Sequence, residues 1–202
     1  MANTSNPCGL KPLNQPFGAI RCTCYKAVTG IVGGLFMYSP VDINSNGYVT
    51  VASATSGNNW VGSVIGMLAG DYGPMDSTYP YSPANPRAAD VDSEGYINVI
   101  VADDPEQKFV IEESSGTALT AASRFLSGSF AWFAGADSGN TKTGISKCVL
   151  DGGKVSASGS ANQLMLIDKL DKPDNAFGSY CKWIVKPLYH RYKPLSMTDS
   201  TV

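Results

Sequence analysis

The heptapeptide Tyr96-Ile97-Asn98-Val99-Ile100-Val101-Ala102 decides the fold class. It is rich in β-branched and aromatic side chains and contains neither glycine nor proline, so it reads as a β-strand. Asp103-Asp104-Pro105 ends it with a turn, and Lys108-Phe109-Val110-Ile111-Glu112 alternates as a second strand. A hairpin is the simplest connection between the two. The same grammar extends toward the N-terminus. Residues 21–27 alternate, residues 34–38 form a short apolar run ended by Pro40, and Asn44-Ser45-Asn46-Gly47 is a hairpin turn leading into Tyr48-Val49-Thr50-Val51. Asn and Gly fit such a turn because they tolerate positive φ. Residues 60–68 are almost wholly apolar, with Gly62 and Gly66 inside, and read as a central core strand.

Toward the C-terminus, residues 130–133, 144–150, 163–167 and 180–188 read as further strands, separated by loops at 135–143, 151–160 and 170–175. One helix is expected, over residues 117–126, where Ala118, Leu119, Ala121, Ala122 and Phe125 fall at near-helical spacing. Tyr72, Tyr79 and Tyr81 alternate with prolines over residues 71–86, which predicts a long irregular loop. The chain therefore reads as all-β, a single compact barrel or sandwich with long loops and at most one short helix. No repeat of fixed period is visible. Residues 1–17 are expected to be an extended arm that orders only on a partner, 18–193 one β-rich domain, and 194–202 a flexible tail.

Composition narrows the function. Of 202 residues only 16% are charged, against about 25% in an average domain. The missing charge is replaced by 22 Ser, 12 Thr and 12 Asn, while 21 Gly and 12 Pro argue against a helix bundle. A net charge of −2 and a pI near 5.3 argue against nucleic-acid binding. The N-terminus has no basic cluster followed by an apolar run, and no apolar window approaches the ~20 residues that span a bilayer. The expectation is a soluble chain made in a cytoplasm, without a membrane partner.

Reactive constellations are sparse. Cys8, Cys22, Cys24, Cys148 and Cys181 are an odd set read as reduced thiols, with Cys22 and Cys24 on one face of a strand. No second closely spaced pair completes a metal site. His190 is the only histidine and is expected at a surface or interface, because no nucleophile elbow accompanies it. Asp103-Asp104 and Asp90, Asp92 and Glu94 lack the spacing of a calcium loop and read as turn caps. Lys182, Lys186, Arg191 and Lys193 interleave with Trp183, Tyr189 and Tyr192. With Lys182 and Lys186 on one face, this reads as a solvated edge strand suited to an acidic protein partner. No catalytic residue, cofactor or metal is expected.

Several segments together resemble the head decoration, or cement, proteins of tailed bacteriophages. They are Met-Ala-Asn with Pro7, Gly9, Leu10, Lys11 and Pro12; Val61-Gly62-Ser63-Val64-Ile65-Gly66; Val99 to Pro105 followed by Phe109-Val110-Ile111-Glu112; Thr143-Gly144-Ile145-Ser146 with Leu150-Asp151; and Pro173-Asp174-Asn175-Ala176-Phe177-Gly178 leading to His190. The resemblance spans residues 3–190, and the order and spacing of these motifs carry it. It implies a non-enzymatic virion protein on the outer capsid surface, bound to the major capsid protein and stabilising the shell by bridging its subunits. It also implies a β-tulip-like barrel, with a jelly roll as the alternative, and a homotrimer. The expected contact elements are residues 2–17 and 72–81, with Pro7, Leu10, Pro12, Phe17, Tyr72, Tyr79, Tyr81, Lys186, His190 and Arg191 at capsid or protomer interfaces. The competing reading is a receptor- or glycan-binding β-sandwich of a phage tail or surface, which exposed Trp60, Trp132 or Trp183 would favour.

Overall fold

The computed structural model describes residues 3–14, 18–28, 31, 34–54, 59–75, 81, 90–114, 117–132, 139–157 and 162–193. The chain is all-β, as its sequence predicts. Its strands are β1 (Lys11–Pro12), β2 (Cys22–Val28), β3 (Pro40–Ile43), β4 (Val49–Val51), β5 (Gly62–Leu68), β6 (Tyr96–Ala102) and β7 (Phe109–Glu112). They continue with β8 (Ser127–Trp132), β9 (Gly139–Asn140), β10 (Ile145–Ser146), β11 (Cys148–Ser156), β12 (Leu164–Lys169) and β13 (Lys182–Pro187). Among the described residues no helix is long and apolar enough to cross a membrane.

The first unit is a closed barrel in the order β2-β4-β3-β5-β6. The Asn44–Gly47 turn closes the β3–β4 hairpin: the Asn44 side chain accepts from the backbone of Asn46 and Tyr48, both at 3.0 Å, and Gly47 takes φ 84°. Ala27, Val41, Val49, Val64, Ile97, Val99 and Val101 fill the interior. Gly62 is required where β5 meets β6, since a Cβ there would stand 2.1 Å from the Ala102 carbonyl oxygen. The second unit is a six-stranded sheet, β1-β7-β13-β12-β8-β11. It curls until β11 returns to the end of β7, where Glu113 bridges Leu150 in parallel. Phe109, Ile111, Phe130, Leu150, Leu164, Leu166, Trp183 and Val185 form its core, joined there by Leu10 and Trp60.

The two units repeat one design. In the first, β2 pairs with β6, β6 with β5, β5 with β3 and β3 with β4, all antiparallel, and β4 returns to β2 in parallel. In the second, β7, β13, β12, β8 and β11 follow the same circuit with the same directions. The registers coincide as well. Cys24↔Ile100 becomes Val110↔Ile184, Val64↔Val101 becomes Leu166↔Val185, Val41↔Gly62 becomes Gly128↔Leu164, and Ile43↔Val49 becomes Phe130↔Leu150. The parallel contact Ala27↔Val49 becomes Glu113↔Leu150. Even the register shift recurs, between Val64 and Gly66 and between Leu166 and Asp168. Tyr38 and Phe125 enter their units alike, at φ 65° and 61°, each donating its N–H at 2.7 Å to Val64 or Leu166.

Several local expectations are corrected. β6 and β7 do not pair as a hairpin; residues 103–108 carry the chain from the first unit into the second, because each strand finds better partners at long range. The expected helix over 117–126 is one 3-10 turn, Ala121–Ser123, since Leu119 is buried and Phe125 is pinned to Leu166. Residues 151–156, read as loop, continue β11. β13 is not an edge strand: it lies between β7 and β12, with Lys182 and Lys186 on its half-buried face.

Residues 3–14 of the arm pack against the rest of the chain. Leu10 is wholly buried, Pro12 is buried in β1 on β7, and the Asn6 N–H meets both Glu112 carboxylate oxygens at 3.0 and 2.9 Å. Asn3 bonds Ala176 and Ser179. These contacts exceed what the low strand pattern of the arm suggests, because its partners, β7 in mid-chain and Ala176 and Ser179 beyond it, are remote in sequence.

Glu113 lies wholly buried where β11 closes on β7. Burial pushes its pKa from 4.5 up to about 7, although the N–H groups of Tyr180 and Thr117 oppose the rise; the neighbouring Glu112 adds to it. The folded protein thus keeps a proton that the unfolded chain releases, so stability falls as pH rises from about 4.5 to about 7. In urea titrations at about pH 5 and about pH 7.5, Glu113→Gln is expected to flatten this fall. An unchanged slope would contradict the assignment.

Candidate binding surface at the mouth of the first barrel

The end of the first barrel where β2 and β5 begin opens into a groove of about 420 Å³. Tyr25, Ile43, Asn44, Gly47, Val61, Arg191 and Tyr192 line it. Strand alternation explains the inner lining: Tyr25 and Ala27 share the inward face of β2, and the chain after β13 crosses the barrel end to bring Arg191 and Tyr192 over it. The Arg191 guanidinium grips the Asp42 carboxylate through two bonds of 2.7 Å and reaches the Ile43 carbonyl at 3.1 Å. The bidentate fit fixes the loop to β3.

A hydroxyl relay runs beneath this rim. Tyr25 donates its single proton to Asp103 Oδ2 at 2.7 Å, so the Tyr192 hydroxyl is left to donate to Tyr25 Oη. Asp103 is wholly buried, and the Arg21 Nε stands 3.7 Å from its other oxygen. Burial, then the bonds to Tyr192 and Asp103, push the Tyr25 pKa far up. The phenol therefore stays protonated and acts as a fixed donor, not a base. His190 is buried below, its Nδ1 accepting from the Tyr192 N–H at 3.1 Å and its ring edge-on to Trp60. Burial draws its pKa down, which keeps the imidazole neutral.

The expected interface residues scatter. Arg191 borders the groove, and His190 is buried beneath it, not at a surface. Lys186 is half-buried and pairs with Glu106 at 3.0 Å; Lys193 meets the same carboxylate, and the two hold its pKa down. Leu10 and Pro12 belong to the interior and Pro7 is half-buried. Tyr72 is 63% exposed, whereas Tyr81 lies half-buried, its ring stacked on Phe36 of its own chain at 4.5 Å. Phe17 and Tyr79 lie outside the described residues. Trp60 and Trp183 are wholly buried, so neither offers a sugar platform, and the Trp132 side chain is outside the described set.

Sequence reasoning missed Phe125, which is 71% exposed, because an apolar residue in a helical pattern reads as core. It missed Tyr25 and Asp103 as a pair because 78 positions separate them. Cys22 and Cys24 are both exposed on β2, and no metal-binding group of three occurs among the described residues. Comparison with protein-family models, with curated proteins and with solved structures finds no match to this chain.

Tyr25→Phe removes the donor to a buried carboxylate and is expected to cost about 1–3 kcal/mol of unfolding free energy. Urea titration checks this; a loss within about 0.3 kcal/mol would show that the relay is not structural.

Proposed function

We propose that the protein is a structural component of a tailed-phage virion, which binds the outer surface of the head and stabilises it by bridging major capsid protein subunits. The observation that carries this reading is a pair of exposed aromatic anchors, one on each unit of a single folded body. Tyr72 follows β5 of the first barrel and Phe125 precedes β8 of the second, at 63% and 71% exposure. Both sit in left-handed backbone, φ 66° and 61°. Tyr72 is held by its N–H to Ala69 at 2.9 Å and by the Asp71 turn, Phe125 by Leu166 at 2.7 Å. A bulky residue in that region costs about 1–3 kcal/mol and persists only where its surroundings dictate it.

Such anchors are presented already ordered, so binding sacrifices little conformational freedom. Two of them on one body give contacts that must break together, which is what a cement protein supplies to a pressurised shell. The low charge and the abundance of Ser, Thr, Asn and Tyr suit broad interfaces with modest desolvation cost. The resemblance in motif order to head decoration proteins supports the same assignment, and a homotrimer on the virion surface belongs to it. The reading includes no catalytic step, cofactor, membrane or nucleic acid.

Co-sedimentation with purified heads lacking this protein tests the assignment. Tyr72→Ala and Phe125→Ala are each expected to weaken binding about tenfold or more while leaving the urea midpoint near that of the wild type. Wild-type affinity in both variants, or no association of the unaltered protein, would contradict it.

A further inference from the structure

A second cavity, of about 510 Å³, opens between the arm and the segment that leads into β13. Arm residues 3–6 line one side, and Lys172, Asp174, Asn175, Tyr180 and Lys182 line the other. Its volume is that of a small-molecule site. Such sites are ordinarily lined by apolar side chains, yet every described residue around this one is polar.

The frame of the cavity is fixed by bonds that do not involve a ligand. Asn3 Nδ2 donates to the Ala176 and Ser179 carbonyls at 2.8 and 3.0 Å, and its Oδ1 accepts from the Ala176 N–H at 3.1 Å. The Asn175 side chain is spent in the same way on Leu170 and Lys182. Glu112 accepts from Ser5 and Asn6, while Glu113 accepts the N–H of Tyr180 at 2.8 Å. Tyr180 is thereby held in left-handed backbone, at φ 61°.

The groups left over decide what fits. Among the described residues, the Lys172 and Lys182 ammonium groups and the Asp174 carboxylate have no hydrogen-bond or ion-pair partner. The same holds for the Asn6 carboxamide and for the Thr4 and Tyr180 hydroxyls. Two cations against one anion favour a ligand that carries negative charge. A bare oxyanion is a poor match, because Asp174 repels it and most of the volume stays empty. An acid that also carries hydroxyls meets both conditions. Its carboxylate pairs with the lysines, one hydroxyl donates to Asp174, and others meet Asn6, Thr4 and Tyr180.

We propose that this cavity binds a hydroxylated carboxylic acid of sugar size, the uronate class. The fixed frame means that only the lysine stems and a few polar tips lose freedom on binding. Neither Tyr72 nor Phe125 lines the cavity, and the test needs no heads, so this site and the virion assignment can each fail alone.

Ligand-observed NMR titrations of the full-length protein at low salt compare three probes. They are sodium glucuronate, glucose, which lacks the acid, and sodium acetate, which lacks the hydroxyls. Glucuronate is expected to bind about tenfold or more tightly than either of the others. Lys172→Gln and Lys182→Gln are each expected to weaken glucuronate about fivefold or more, with the urea midpoint near that of the wild type. If Lys182→Gln fails to fold, Lys172→Gln decides, since Lys172 is exposed. Glucose or acetate binding as tightly as glucuronate would overturn the proposal. So would the absence of glucuronate binding, or binding that the lysine substitutions leave intact.

Discussion

Trp60 sits where the two units become one. It stands just before Val61 and β5 of the first barrel, yet its ring is wholly buried in the second core, 5.7 Å from Phe109 and 5.9 Å from Phe130. Its backbone bridges His190, and the Arg191 N–H reaches its carbonyl at 3.1 Å, so the C-terminal turn closes over it. Leu10 reinforces the joint: its N–H bonds Tyr38, its carbonyl accepts from Ser63 at 2.6 Å, and its side chain enters the second core. Truncating a buried tryptophan removes about 3–5 kcal/mol, a large part of a domain's ordinary stability. This cluster joins the unit that carries Tyr72 to the unit that carries Phe125.

A duplicated circuit of strand pairings explains features that look unrelated. The left-handed aromatic residues Tyr38 and Phe125 are the same structural position, yet the first stands beside Gly9, Leu10 and the Lys11 ammonium while the second is open. Residues 22–24 and 108–110 are likewise one position, covered by β1 in the second unit and, among the described residues, by nothing equivalent in the first. The single arm has completed one face of each unit.

Strand existence was legible in the sequence, and strand partnership was not. Tyr96–Ala102 and the Asn44–Gly47 turn announce themselves through β-branched density and positive-φ residues, which are local properties. Whether residues 103–108 form a hairpin turn or a passage between two units depends on partners far along the chain, which no local pattern encodes. The repeat leaves no fixed period in the sequence because the connections differ in length: Val64 to Leu166 is a step of 102 positions, whereas Ile100 to Ile184 is a step of 84. Only fragments persist, such as Tyr96, Ile100 and Val101 against Tyr180, Ile184 and Val185. His190 misled for a similar reason. Its basic and aromatic neighbours suggest a surface, but its burial comes from Trp60, 130 positions earlier in the chain.

The proposed role requires one folded body to touch the shell through both of its units, the closed barrel and the curled six-stranded sheet. Cryo-electron microscopy of heads decorated with the purified protein tests it most directly. The account predicts density in which each copy touches two capsid subunits, one through the Tyr72 side and the other through the Phe125 side. Density attached through a single barrel to a single subunit would contradict it, as would heads that remain bare at saturating protein.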